Sequence, residues 1–155
     1  MLAGTTQTYS FAIVGSRFNF PYSDALVTSA QKGLEGHRVV VVRVPGAFEI
    51  PLQVQKLAKT GRFHVVIALG VVWQGETPHA AEILRACTDA LMRIALETGV
   101  PVVHEVLYVR TEKEAHDRTM GELNRGLEAA RTALELAALE EIHGKVELPQ
   151  RFPLE

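Results

Sequence analysis

A single cysteine, Cys87, occurs in the 155-residue chain; it excludes an internal disulfide and fits a reducing cytoplasm. No apolar run approaches the roughly 20 residues that a membrane-spanning helix requires. The opening MLAGTTQTYS has no basic segment leading into an apolar one, so it does not read as a secretory signal. A formal net charge of -2 provides no basic field for nucleic acid and no polybasic stretch for a membrane surface. Internal repeats and low-complexity tracts are missing. So is any G-x-G-x-x-G, which weakens a dinucleotide site. The histidines never fall at metal-ligand spacing, and no metal centre is expected.

What is present is enough chain for one domain with a buried core. Residues 1–143 are expected to form it. Gly144–Glu155, with its prolines and mixed charge, is expected to extend as a tail. Four valine-rich runs stand out, at Phe11–Val14, Val39–Val44, Val65–Leu69 and Val102–Val109. They are continuous rather than alternating, which suits parallel strands buried on both faces. Helical periods lie between and after them. Leu26, Ala30 and Leu34 share a face after a candidate cap at Ser23. Ala80, Leu84, Cys87, Leu91 and Ile94 share another, as do Leu123, Leu127, Ala130, Leu134 and Ala137. Cys87 therefore reads as core. Glu49–Thr60 is a shorter helix, with Gly61 where a left-handed cap belongs. The alternation predicts an α/β layer fold with right-handed crossovers and ligands beyond the carboxyl ends of the strands. The loops that matter are then Gly15–Tyr22, Pro45–Glu49, Gly70–Pro78 and Tyr108–Thr111.

In the third of these, Gly70-x4-Gly75 has the spacing of a nucleotide phosphate loop. Glu76 stands where that loop needs lysine, and a carboxylate there would repel nucleotide phosphates. A smaller anion is still served. Thr77 is a good N-cap and Pro78 suits the first helical position. Free N–H groups and the helix dipole favour phosphate, with His79 beside it to exchange protons. Taken alone, His79 reads more readily as a surface histidine in a first helical turn, and the other loops shift that balance. "SRFNF" at 16–20 and "RVPGAFEIP" at 43–51 add Phe18, Phe48 and Glu49 at neighbouring strand ends, groups that can stack on and hydrogen-bond a flat heterocycle.

"RFN" at 17–19, "VPGAFEIP" at 44–51, "ALG" with "GETPH" across 68–79, "TGVPV" at 98–102 and Arg118 together resemble the lumazine synthase family, from about Ser10 to Leu139. The resemblance implies a three-layer αβα, flavodoxin-like fold around a four-stranded parallel sheet of order 2-1-3-4. It implies condensation of 5-amino-6-(D-ribitylamino)uracil with 3,4-dihydroxy-2-butanone 4-phosphate to 6,7-dimethyl-8-ribityllumazine, the penultimate step of riboflavin synthesis, without metal or organic cofactor. Carried over, Phe18 stacks on the pyrimidine, Ala47, Phe48 and Glu49 hold the ribityl chain, and His79 transfers protons. Backbone N–H groups at Glu76 and Thr77 meet the phosphate with Arg118, and Arg125 takes the place of a lysine in that sub-site. Arg118 is implied to come from a neighbouring subunit, so the active site lies between copies of a homo-oligomer, with riboflavin synthase as a candidate further partner. Family members are pentamers, pairs of pentamers or sixty-subunit shells, and the short loop at Met120–Asn124 favours the shell.

The chain also departs from the family's pattern. Ala80-Ala81 replace an aromatic and an acid, Trp73-Gln74 replace a more usual aliphatic and base, and His104-Glu105 replace Phe-Gly. His104 thus stands where the family packs a phenylalanine near the pyrimidine. Glu82 lies one turn from His79 and is placed to orient it, or is a solvated helix charge. His37, His64, His116 and His143 read as surface or packing residues. The competing readings are a lumazine- or flavin-binding cage without turnover, and a flavodoxin-like binding module; the latter lacks a phosphate loop after its first strand.

Overall fold

A computed structural model describes residues 7–145. Four parallel strands, β1 (Ser10–Ser16), β2 (Arg38–Val44), β3 (Val65–Trp73) and β4 (Val102–Val109), pair in the order β2-β1-β3-β4. Between them run α1 (Tyr22–Gly33), α2 (Ile50–Lys59) and α3 (His79–Thr98), and α4 (Glu112–Thr119) and α5 (Arg125–Lys145) follow β4. Alternate strand residues feed two cores. Phe11, Ile13 and Ile67 pack with Leu26 and Ala30 of α1, with Leu34 just after it, and with Ala130, Ala133 and Ala137 of α5. Ala12, Val14, Val66 and Ala68 pack with Val54, Cys87, Leu91 and Ile94 of α2 and α3. The result is the expected αβα sandwich, and β1 and β3 are buried on both faces because they are its inner strands. Gly61 and Gly99 end α2 and α3 in left-handed conformations, at φ +69° and +71°.

Several local expectations are corrected. Val39–Val44 is an edge strand rather than one buried on both faces, with Val40 47% exposed, because β2 closes one side of the sheet. Ser23 does not cap α1; the helix starts at Tyr22, and the Ser23 hydroxyl donates to the Arg17 carbonyl at 3.1 Å. Leu123 precedes α5 and is exposed, since Asn124 starts the helix with its Oδ1 accepting the Leu127 N–H at 3.1 Å. Helix α4 was not anticipated, because only Ala115 and Thr119 along it are buried and it carries no apolar stripe. Its legible signal was Thr111-x-x-Glu114: the Thr111 hydroxyl accepts the Glu114 N–H at 3.1 Å. The first two residues of the predicted tail, Gly144 and Lys145, belong to α5, and the remainder lies outside the described residues.

Gly70 is not a loop glycine. It lies inside β3, where a Cβ would meet the Ser16 hydroxyl at 2.7 Å. The resemblance to a nucleotide phosphate loop therefore has a packing cause, and the true loop spans residues 74–78. No described helix is long and apolar enough to cross a membrane.

Candidate active site

Three strand-end loops converge at the carboxyl edge of the sheet. The loop after β1 is fastened to the loop after β2 by the Phe18 N–H donating to the Pro45 carbonyl at 2.9 Å. Asn19, in a left-handed conformation at φ +67°, donates its side-chain amide to the Val71 carbonyl of β3 at 2.6 Å. Arg43 closes the same corner, with its guanidinium donating to the Gly15 and Ser16 carbonyls and to Asp24 at 2.6 Å. The Val71 bond explains the asparagine of the "RFN" stretch.

Ala47–Glu49 form one 3-10 turn ahead of α2. Glu49 Oε2 accepts the Gly46 N–H at 3.0 Å, which orients the carboxylate and leaves its other oxygen for a ligand. The Phe18 ring lies over Gly46, so close that a Cβ there would meet Phe18 Cδ2 at 2.7 Å. The Cys87 thiol of α3 donates to the Ala47 carbonyl at 3.1 Å, tying the turn to the helix. Burial, and secondarily the Glu49 charge, pushes that thiol above its ordinary value, so it acts as a donor and not as a thiolate. Packing was the correct reading of Cys87, with a hydrogen bond added.

A cleft of about 630 Å³ results, walled by Phe18, Phe48, Glu49, His79, Glu82 and Arg85. A hollow of about 330 Å³ adjoins it, sharing Phe18, Ala47, His79 and Ile83 and adding Asn19, Trp73 and Ala80. Phe18 and Phe48 stand 65% and 67% exposed, an unusual presentation for two large aromatics at one cleft. His79 is the first residue of α3 rather than the second. Pro78 occupies the cap position, and the Thr77 side chain makes no capping bond. The first helical bond runs from the Glu82 N–H to the Pro78 carbonyl at 3.0 Å, so the preceding N–H groups have no intrahelical acceptor and face the loop. Glu82 lines the cleft, but no hydrogen bond or ion pair joins it to His79 among the described residues. Arg85 and Ile83 are wall residues that sequence reasoning missed. Among the described residues, no group of three His, Cys, Asp or Glu is arranged to hold a metal ion.

The remaining predicted residues are elsewhere. Glu76 and Thr77 sit in the exposed loop before α3 and line neither hollow. His104 is on β4, beyond α3 from the cleft. Arg118, on α4, donates Nη1 to the Tyr108 carbonyl at 2.9 Å. Arg125 is held by Glu105 through two bonds, at 2.6 and 3.1 Å. Glu105 is only 9% exposed, so Glu105→Ala is expected to strand the arginine and destabilise the fold by about 2 kcal/mol. That is below the roughly 3–5 kcal/mol for breaking a fully buried pair, because Arg125 keeps 40% of its side-chain exposure. A lowered urea midpoint with unchanged slope would show it.

His104 carries a second expectation. Burial pushes its imidazole below the ordinary value of 6.5, with Glu105 pulling partly back. The unfolded chain therefore takes up this proton at higher pH than the folded one. The stabilising contribution of neutral His104 is present above 6.5 and fades as pH falls toward the lowered folded value. Melting temperatures measured downward from neutrality should fall less steeply for His104→Phe than for the parent protein.

Comparison with known proteins bears on this geometry. A family model described as 6,7-dimethyl-8-ribityllumazine synthase matches residues 8–141. A protein of that name from Xanthomonas campestris pv. campestris (strain B100) is 42% identical over 141 residues, covering 87% of this chain and 92% of that protein. Proteins of the same name from Xanthomonas euvesicatoria pv. vesicatoria (strain 85-10) and Xanthomonas oryzae pv. oryzae (strain PXO99A) are 40% identical over equal coverage. The chain belongs to the lumazine synthase family. Two of its departures from the lumazine synthase pattern, Trp73 and Ala80, meet in the hollow beside the main cleft. A large residue on the strand and a small one on the helix redistribute bulk there, in a hollow that Phe48 and Glu49 do not line.

Proposed function

We propose that this protein condenses 5-amino-6-(D-ribitylamino)uracil with 3,4-dihydroxy-2-butanone 4-phosphate to 6,7-dimethyl-8-ribityllumazine, in a site shared between copies of the chain. The observation that carries the reading is the cleft itself. Two exposed aromatics, a carboxylate with one oxygen uncommitted and a histidine at a helix start face a single volume of about 630 Å³. Phe18 stacks on the pyrimidine, Ala47, Phe48 and Glu49 hold the ribityl chain, and the loop at Glu76 and Thr77 with the first N–H groups of α3 holds the phosphate. The chemistry is Schiff-base formation, phosphate elimination and ring closure, which needs placement and proton transfer more than a strong nucleophile.

His104, Arg118 and Arg125 line no part of this cleft in one chain. They serve a neighbouring copy's cleft, His104 against the pyrimidine and Arg118 on the phosphate, in a homo-oligomer built from rings of five. Two bonds to Glu105 occupy one edge of the Arg125 guanidinium and leave Nη1 for the same anion. The short Met120–Asn124 loop supports assembly into a sixty-subunit shell.

Incubating the purified protein with both substrates and following lumazine absorbance tests the reaction; binding of the pyrimidine without product would favour a cage over an enzyme. Arg118→Ala is expected to raise KM for the butanone phosphate about 10-fold, with little change for the pyrimidine. Co-refolding the weakened His79→Ala and Arg118→Ala chains, assayed with the butanone phosphate far below its KM so that each alone contributes little, tests the sharing. Half the clefts then have His79 and half of their neighbours supply Arg118, so about a quarter of the parental activity should return. No regain would place both residues in one subunit's site.

A further inference from the structure

Across α3 from the His79 cleft lies a smaller hollow of about 310 Å³, lined by Ala81, Leu84, Arg85, Thr88, Asp89 and Tyr108. The Thr88 hydroxyl at its wall is 2.7 Å from His104 Nε2, joining α3 to β4. The other ring nitrogen, Nδ1, accepts the Val106 backbone N–H at 3.1 Å. An N–H aimed at Nδ1 requires a lone pair there, so the ring proton sits on Nε2 and is donated to Thr88. Both nitrogens are consumed inside the chain. What His104 retains for a ligand is the face of its ring.

We propose that Thr88 is a positioning residue, whose hydroxyl fixes the orientation of the His104 ring, already set as the Nε2–H tautomer by the Val106 bond, so that the imidazole meets the pyrimidine substrate as a flat stacking surface and not as a proton donor. The inference rests on the reading above that brings His104 to a neighbouring copy's cleft. Geometry makes the hydroxyl the controlling contact. The Val106 bond comes from the backbone two residues along the same strand and holds one corner of the ring. Thr88 holds the opposite corner from a separate element, and without it the ring can turn about that single point. An untethered imidazole also regains a free N–H, which costs desolvation when a ring is laid against it. Thr88 is exposed on the helix, so changing it should leave the fold intact.

The test is a double-mutant cycle in the assembled protein, with steady-state constants for each substrate and the nitrogen NMR shifts of the imidazole as readouts. Thr88→Val is expected to raise KM for the pyrimidine about 3–10-fold, the equivalent of one net hydrogen bond, with kcat and the KM for the butanone phosphate nearly constant. Thr88→Ser should restore the parental value. With His104→Phe as background, Thr88→Val should add nothing, because no ring nitrogen remains to be held. The NMR signature of an Nε2–H tautomer should be present in the parent, and in Thr88→Val the imidazole signals should be broadened by motion of the released ring.

A Thr88→Val penalty that persists in the His104→Phe background would overturn the proposal, as would an Nδ1–H tautomer in the parent. An unchanged pyrimidine KM in Thr88→Val would overturn it while leaving the reaction in place. Lumazine formation with an unchanged pyrimidine KM in His104→Ala would instead overturn the placement of His104 beside the ring, and the proposal with it.

Discussion

His79→Ala is expected to lower kcat by about 10²-fold or more while pyrimidine binding stays nearly constant, the usual size of a lost general acid–base contribution. The expectation follows from where the imidazole is. His79 lines both the main cleft and the adjoining hollow, so it borders the space in which two substrates must meet. It opens α3, whose leading N–H groups lack intrahelical acceptors, and in the proposed reaction the phosphate that has to leave is held at that same helix start. Removing the imidazole leaves Phe18, Phe48 and Glu49 in place, which is why binding should survive. Steady-state rates combined with pyrimidine titration by fluorescence separate the two quantities. A variant with parental kcat would assign proton transfer to another group, of which Glu82 is the nearest on the same helix face.

Much of this arrangement is legible in the sequence. The inner strands β1 and β3 were marked by unbroken apolar runs, because a strand covered on both faces has no polar alternation to keep. The same reasoning misjudged β2, whose valines are as apolar but whose neighbours cover only part of it, since composition does not tell an edge from a centre. Helix α4 escaped because a short helix on the surface needs a cap more than a stripe. At the site, Phe18, Ala47, Phe48, Glu49 and His79 were legible because each lies just past a strand end, where the topology alone gathers ligand groups. Arg85 and Ile83 were not, because they join the cleft through the turn of α3 and not through any loop. The pairing of Arg125 with Glu105 was equally hidden: it joins β4 to the start of α5 across 20 residues, and only the packing of that helix on the sheet brings the two together.

Gly46→Ala should be the most informative change at the binding end of the cleft, expected to raise KM for the pyrimidine about 30-fold with little loss of stability. Gly46 has an extended backbone, φ -134° and ψ 179°, which any residue adopts, so the effect is steric and not conformational. An added Cβ would lie 2.7 and 2.8 Å from two carbons of the Phe18 ring and 3.2 Å from Glu49 Oε2. The ring is 65% exposed and can swing outward at small cost to folding, typically within about 0.5 kcal/mol for a surface rearrangement. Swinging outward is what binding cannot tolerate. Stacking of one base on an aromatic side chain is worth roughly 1–3 kcal/mol, and the crowded Glu49 carboxylate would lose aim at the ribityl hydroxyls in addition. In a Phe18→Ala background the same glycine change should have only the residual effect that passes through Glu49. A full 30-fold penalty there would show that Gly46 acts on the ribityl turn alone, and that the Phe18 ring is a bystander at the edge of the cleft.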